Sequence, residues 1–310
     1  MASLICGSLA FDLIMTFEGR FSDVLLPDQL HKINAAFLIP ELKQEYGGCA
    51  GNIAYNLNIL EEKPLIMATL GKDGHSYLQR LKKLDITTYC ISIVDSLFTA
   101  QAFITTDLDN NQITAFHPGA MNESQKNKIS DAGEVDIAII SPDGREGMLS
   151  HAEDCFKLGI PFIFDPGQGL PMFNKDELLR FIDLSSYLIV NSYESELLQE
   201  KTTLSKKQLS EKVKSLIVTH GKNGAELYLN NEHFIFPAID VKEEVDPTGC
   251  GDAFRAGMIY GITNNLQWKT TMELSCLMGA IKISSQGGQN HKLNFDTVKA
   301  MFFKNFKYNF

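Results

Sequence analysis

The stretch Asp246-Pro247-Thr248-Gly249-Cys250-Gly251-Asp252, continued by Ala253-Phe254-Arg255-Ala256-Gly257, joins a turn to an acid. Pro, Thr and two Gly interrupt regular structure. The apolar run after Asp252, with Ala253, Gly257 and Gly261 four apart, predicts a helix packed closely on a neighbour. Gly249 and Gly251 leave backbone N–H groups free to converge at the helix start, where partial positive charge adds to them. That is an anion site. Asp252 in the same turn sets a carboxylate beside the bound anion. Such repulsion has a use where the carboxylate takes a proton from a hydroxyl about to attack, so the spacing points to phosphoryl transfer.

Other candidates are weaker singly. Gly47-Gly48-Cys49-Ala50-Gly51-Asn52 is a second glycine-rich stretch opening a helix. Its adjacent glycines let backbone approach a ligand, and Asn52 offers a hydroxyl both a donor and an acceptor. Close helix packing is its ordinary explanation. Asp12, in a polar break after Leu9, Ala10 and Phe11, is suited to a vicinal diol, or simply to a turn. Asn191 and Glu194 could organise Mg²⁺, which keeps most of its waters and borrows phosphate oxygens, or could equally cap a helix. His151 and Cys155 share a helix face with no third metal ligand in view, and Trp268 opens a helix as packing. Lys222 follows Gly221, yet GxxxxGK[ST] is absent, as is GxGxxG at a strand–helix turn. These absences remove the P-loop and nicotinamide classes.

Short apolar runs at 3–6, 65–70, 135–141, 162–165, 187–191 and 216–219 alternate with helical patterns at 53–61, 76–84, 148–158, 175–184 and 206–213. Alternation of this kind means βαβ units on a parallel sheet. Segments 9–42 and 99–116 break the rhythm, the latter as two strands around a turn at 107–112; both fit a small antiparallel layer acting as a lid, although a sheet edge and a surface hairpin are the ordinary explanation of these segments taken alone. Ligands in such sheets bind beyond the carboxyl ends of the strands, where Ser8, Asp12, Asp165, Asn191, Glu194 and the turn from Thr219 to Gly224 fall.

The composition, 44% hydrophobic and 21% charged over 310 residues, is that of a globular enzyme, and the net charge of −10 argues against nucleic acid. Six Cys without a CxxC pair read as reduced cytoplasmic thiols, and HExxH is absent. No apolar run reaches spanning length and no signal peptide is recognisable, which argues against a membrane.

Together the three glycine- and acid-bearing signatures resemble those of the ribokinase-like, or PfkB, carbohydrate and nucleoside kinases. Asp246 to Asp252 matches the family's C-terminal D-T-x-G-x-G-D, with Pro247-Thr248 at its variable start; Gly47 to Asn52 matches its N-terminal glycine signature, and Asn191 with Glu194 its N-x-x-E. Within the family the chain looks most like bacterial adenosine kinases. That likeness rests on Gly7-Ser8-Leu9-Ala10-Phe11-Asp12, on Gly19-Arg20-Phe21-Ser22 with Leu26-Pro27 and Leu30-His31-Lys32, and on Phe116-His117-Pro118-Gly119-Ala120-Met121.

The resemblance implies a three-layer α/β sandwich, with a central, mostly parallel sheet and a small antiparallel β lid. It implies one domain over 1–310, with lid segments at about 9–42 and 97–117. It implies an adenosine kinase of purine salvage, using ATP and Mg²⁺, with a monovalent cation as a further candidate. Asp252 would be the base for the nucleoside 5′-hydroxyl, and Gly249, Cys250 and Gly251 the anion hole. Asn191 and Glu194 would organise Mg²⁺ and phosphates, and Thr219, Gly221, Gly224 and Gly251 would line the ATP site. Ser8, Asp12, Gly48 and Asn52 would hold the ribose, with Phe116, Phe103 and Gln168 at the purine. A ribokinase-like sugar kinase or another nucleoside kinase is the alternative on the same chemistry. A nucleoside-binding regulatory protein on a kinase fold is the non-enzymatic one. Exposed lid edges make a homodimer an expectation. Cys250, at a helix N-terminus, is expected to be an activated thiol.

Overall fold

A computed structural model describes residues 2–25, 35–109 and 111–310. Leu26-Pro27 and Leu30-His31-Lys32 lie outside the described residues.

Strand β1 (Ser3–Cys6) sits inside a nine-stranded sheet with β4 (Leu65–Gly71) and β5 (Ile91–Val94) on one side. On its other side run β8 (Ile137–Ile140), β9 (Phe162–Phe164), β10 (Tyr187–Asn191) and β11 (Ser215–Thr219), all parallel. The expected parallel sheet is therefore present. An edge hairpin, β12 (Ala225–Leu229) and β13 (Glu232–Phe236), adds two antiparallel strands.

Alternation along these strands explains the three layers. Leu4, Phe164, Leu188 and Leu216 enter one core with Met148 and Cys155 of α4 (Arg145–Leu158) and Phe181 of α5 (Lys175–Leu184). Ile5, Ile163, Ile189 and Ile217 enter the opposite core. There they meet Ile53 of α2 (Cys49–Ile59), Leu81 of α3 (His75–Lys83), Phe254 of α8 (Cys250–Thr263) and Met272 of α9 (Trp268–Ile283). A strand buried on both faces is apolar throughout, which is why these runs were readable. The helical pattern at 206–213 condenses to a shorter α7, Lys206–Ser210, whose Ser205 cap closes a box with Gln208. Between α5 and α7, α6 (Ser192–Thr202) follows β10 directly.

A second sheet orders β3 (Glu41–Gly47), β2 (Ala10–Thr16), β6 (Ala100–Thr106) and β7 (Gln112–His117). Its outer pairs are antiparallel and its central β2–β6 pair is parallel. β3 carries this layer to Gly47, beyond the expected limit near 42, and delivers the chain into α2. No helix among the described residues is long and apolar enough to cross a membrane.

Helices α8 and α9 cross closely because Gly257 lacks a side chain: a Cβ there would lie 2.7 Å from Ser275 Cα. Gly257→Val should therefore cost about 1–3 kcal/mol of stability by overpacking. Urea denaturation monitored by circular dichroism checks it, and an unchanged midpoint would contradict this packing.

Candidate active site

Three strand-to-helix junctions place the candidate residues. After β1, the Ser8 carbonyl accepts from Ala50 N–H at 3.0 Å and the Ser8 hydroxyl from Cys49 N–H at 3.2 Å. Ser8 thereby fastens the start of α2, which Gly48 caps. Asn52, one turn on and 4% exposed, donates from Nδ2 to Asp252 Oδ2 at 2.8 Å and accepts at Oδ1 from Gln289 Nε2 at 3.1 Å. Gln289 also donates to the Tyr77 hydroxyl at 2.7 Å, and Tyr77 donates to the Gly47 carbonyl at 2.8 Å. The two glycine-rich stretches, about 200 residues apart in sequence, thus meet through one amide–carboxylate bond.

The loop before α8 is tied down through Asp246. Its carboxylate accepts from Thr248 N–H at 2.8 Å and Gly287 N–H at 2.7 Å. Its carbonyl accepts from the fully buried Lys282 ammonium at 2.9 Å. Gly249 caps α8 at φ 79°, a left-handed conformation that suits Gly. Cys250 N–H closes the turn on the Pro247 carbonyl at 3.1 Å. Among the described residues no acceptor takes the N–H groups of Gly249 and Gly251. The Cys250 thiol is pushed up to about 11 by burial, with Asp246, Asp252 and Glu244 adding to the rise against Lys282. The expected activated thiol is thereby corrected: burial among carboxylates outweighs the helix start.

Asp252 lies near enough to Asp12 to raise its pKa. Burial pushes Asp252 up to about 6, opposed by Arg255 and the Asn52 hydrogen bond, with Asp165 adding to the rise. Burial likewise pushes Asp12 up to about 6, reinforced by Asp252, Asp246 and Glu45. Strand register decides which lid side chains share Asp12's face. Asp12 aligns with Ala102, and Ala102 with Phe116, so Phe116 stands on the Asp12 face and is half exposed. Phe103 aligns with Leu13 and Ala115 and points to the other face. The site therefore gathers Phe116 and not Phe103. Gln168 is exposed on the rim after β9, in the turn Gly167–Met172.

Gly251 lines a cavity of about 490 Å³ together with Thr219, Gly221, Gly224, Cys250 and Phe254. Asn191 and Glu194 form a reciprocal cap: Glu194 N–H donates to Asn191 Oδ1 at 2.8 Å, and Glu194 Oε2 accepts from Asn191 N–H at 2.8 Å. Asn191 Nδ2 donates to Glu194 Oε1 at 2.7 Å. Glu194 is 7% exposed and has no salt bridge among the described residues, and burial raises its pKa. A buried carboxylate in that condition fits a cation held through water and phosphate oxygens. The described residues contain no cluster of three or more His, Cys, Asp or Glu that would cage one directly. His151 is buried against the Asn127 carbonyl at 3.2 Å.

The family model for PfkB carbohydrate kinases matches residues 12–294. The chain belongs to that family. Among solved structures, a nucleoside kinase from Burkholderia thailandensis in complex with inosine is 46% identical, with a TM-score of 0.90 and 99% of each chain covered. A nucleoside kinase from Methanocaldococcus jannaschii is 28% identical over 267 residues, 86% of this chain and 88% of that one. A ribokinase from Thermotoga maritima, at 24% identity and a TM-score of 0.82 over 98% of this chain and 100% of that one, shares the fold. In this PfkB-family chain the fold is thus the ribokinase-like one expected from the sequence.

Sequence reasoning passed over Gln289, Lys282 and the partnership of Arg255 with Asp165. Gly287-Gly288 before Gln289 was the available signal, because paired glycines after a helix mark a close backbone approach.

The two carboxyls make a prediction about stability. Each titrates near 6 in the fold, and near 4 when unfolded. The fold therefore loses stability as pH rises from about 4 through about 6, where the two become charged. Asp12→Asn should melt at a higher temperature than wild type at pH 8, with the gap closing by about pH 4. A constant gap, or a lower melting temperature at pH 8, contradicts the assignment.

Proposed function

We infer that the protein is an ATP-dependent nucleoside kinase that phosphorylates the 5′-hydroxyl of adenosine, giving AMP. The observation that carries this reading is the placement of Asp252. Its carboxylate, pushed up to about 6 by burial, stands at the start of α8 beside the amides of Gly249 and Gly251, which no acceptor takes among the described residues. Asp12 lies near enough to feel its charge, and the adjoining Cys250 and Gly251 line the 490 Å³ cavity.

In this reading the ribose hydroxyls bond to Asp12, with Ser8, Gly48 and Asn52 completing that wall. The purine lies against Phe116 and reaches Gln168. ATP occupies the cavity, its phosphates passing Asn191, Thr219, Gly221 and Gly224 toward the loop. Gly249 and Gly251 amides meet the charge on the transferring group, with Cys250 contributing backbone to the same turn. Asp252 orients the 5′-hydroxyl and takes its proton as the new oxygen–phosphorus bond forms and the bond from the γ-phosphorus to the bridging oxygen breaks, ADP leaving with that oxygen. Mg²⁺, held through Glu194 and Asn191 by way of water, would neutralise phosphate charge. The lid sheet covers the nucleoside, and residues 1–310 act as one kinase domain.

A second purine riboside has specific support. Inosine is bound by the Burkholderia thailandensis nucleoside kinase, 46% identical to this chain, and it offers the same ribose and 5′-hydroxyl to Asp12 and Asp252.

Asp252→Asn should keep adenosine binding, read by calorimetry, and lower turnover about 10²–10⁴-fold. Turnover within tenfold of wild type removes Asp252 from that role. ADP release with adenosine, inosine, ribose and fructose as acceptors tests the substrate class. Purine ribosides should exceed free sugars, and preference for a free sugar would overturn the nucleoside reading.

A further inference from the structure

Arg255 lies one turn beyond Asp252 on α8, only 7% exposed, where an unpaired guanidinium would be expensive. Its Nε and Nη2 donate to the two oxygens of Asp165 at 2.5 Å each, a bidentate fork. Its remaining arm, Nη1, donates to the Gly251 carbonyl at 2.9 Å. Asp165, itself 1% exposed at the end of β9, also accepts from the Ser141 hydroxyl at 2.8 Å at the end of β8. The pair therefore spans from two central strand ends to the first turn of α8.

We propose that Arg255 and Asp165 act together as positioning residues that orient the Gly251–Asp252 peptide and set the charge felt by the Asp252 carboxylate. The orientation follows from planarity: holding the Gly251 carbonyl fixes the plane whose opposite edge is the Asp252 N–H. The Asp252 backbone and the adjoining anion-binding turn are then held from the sheet. The charge effect follows from proximity. Asp252 is faced by Arg255 on its own helix, Asp165 from β9, Lys282 from α9, Asn52 and Cys49 from α2 and Asp12 from β2. Asp246 lies in the loop before it, and Glu194 of α6 faces Arg255 from behind. Only Arg255 and Lys282 in that set are cationic groups, and burial lowers the Lys282 pKa. Lys282 is committed to the carbonyls of Asp246 and Ser285. Arg255 is thus the cation that keeps Asp252 ionisable in a pocket crowded with acids, while Asp165 tempers it.

This inference rests on Asp252 being the base, and the test separates the two. Single-turnover rates with adenosine and MgATP are measured from pH 5 to 9 for wild type, Asp252→Asn, Arg255→Gln, Asp165→Asn and Arg255→Lys, each checked for folding by thermal melting. The acid limb of the wild-type profile should vanish in Asp252→Asn. It should move up by about 1 pH unit in Arg255→Gln and down in Asp165→Asn, because the two variants remove opposite charges. Arg255→Lys should leave the limb in place and still lose rate, up to about 100-fold, because the fork and the Gly251 contact are gone.

A pair that merely holds the fold together would move both limbs the same way or neither, and that result overturns the proposal. A limb that persists in Asp252→Asn instead overturns the base assignment. Where a charge-removing variant does not fold, Arg255→Lys decides: a limb displaced by more than about 1 pH unit, or an undiminished rate, contradicts the proposal.

Discussion

The charge balance around the start of α8 is the constraint on which the site depends. Asp12, Asp165, Asp246, Asp252 and Glu194 converge there from a lid strand, one sheet end, a loop and the first turns of α6 and α8, and Arg255 and Lys282 answer them. Five acids around a place proposed to receive phosphate would be self-defeating if all were free. Asp246 is consumed by backbone amides, Asp165 by Arg255 and Ser141, and Glu194 by Asn191. Asp12 and Asp252 keep the least compensated charge, and burial raises both. Those two are the groups that a nucleoside's hydroxyls would satisfy.

The fold supplies this arrangement through strand ends. Ser8, Ser141, Asp165, Asn191 and Thr219 follow or end successive strands of one parallel sheet, so their positions are fixed by the sheet's register and not by loop conformation. The small sheet contributes by register as well. Because β2 pairs in parallel with β6, and β6 with β7, Asp12, Ala102 and Phe116 form one row across the lid. The same row that holds the ribose in the proposed function would hold the base, which would couple sugar and purine recognition to one surface.

Much of this was legible in the sequence because local rules and global fold agree. Strands apolar on both faces announced the parallel sheet, and Gly249, Gly251 and Asp252 announced the glycine turn that opens α8. What could not be read depended on contacts between distant segments. Asn52 touches Asp252 only because α2 and α8 pack together. The edge hairpin of β12 and β13 mixes apolar and polar residues and lacked a buried-strand pattern. Phe103 and Phe116 looked equivalent until pairing placed them on opposite faces. The Cys250 thiol was misjudged from its helix position, because burial, the largest cause of its rise, is not visible in the sequence, and its neighbours Asp246, Asp252 and Glu244 count against it only once that burial is known. Arg255 was visible as a residue, but its partner lies 90 positions away.

The central claim is that the Asp252 carboxylate and the Gly249–Gly251 turn meet at the point where phosphorus is transferred. A crystal structure with adenosine, ADP and aluminium fluoride tests it most directly. The account predicts the nucleoside 5′-oxygen within about 2.6–3.2 Å of the Asp252 carboxylate, with the fluoride group on the amides of Gly249 and Gly251. A 5′-oxygen directed at another side chain, or a fluoride group seated away from this turn, would contradict it.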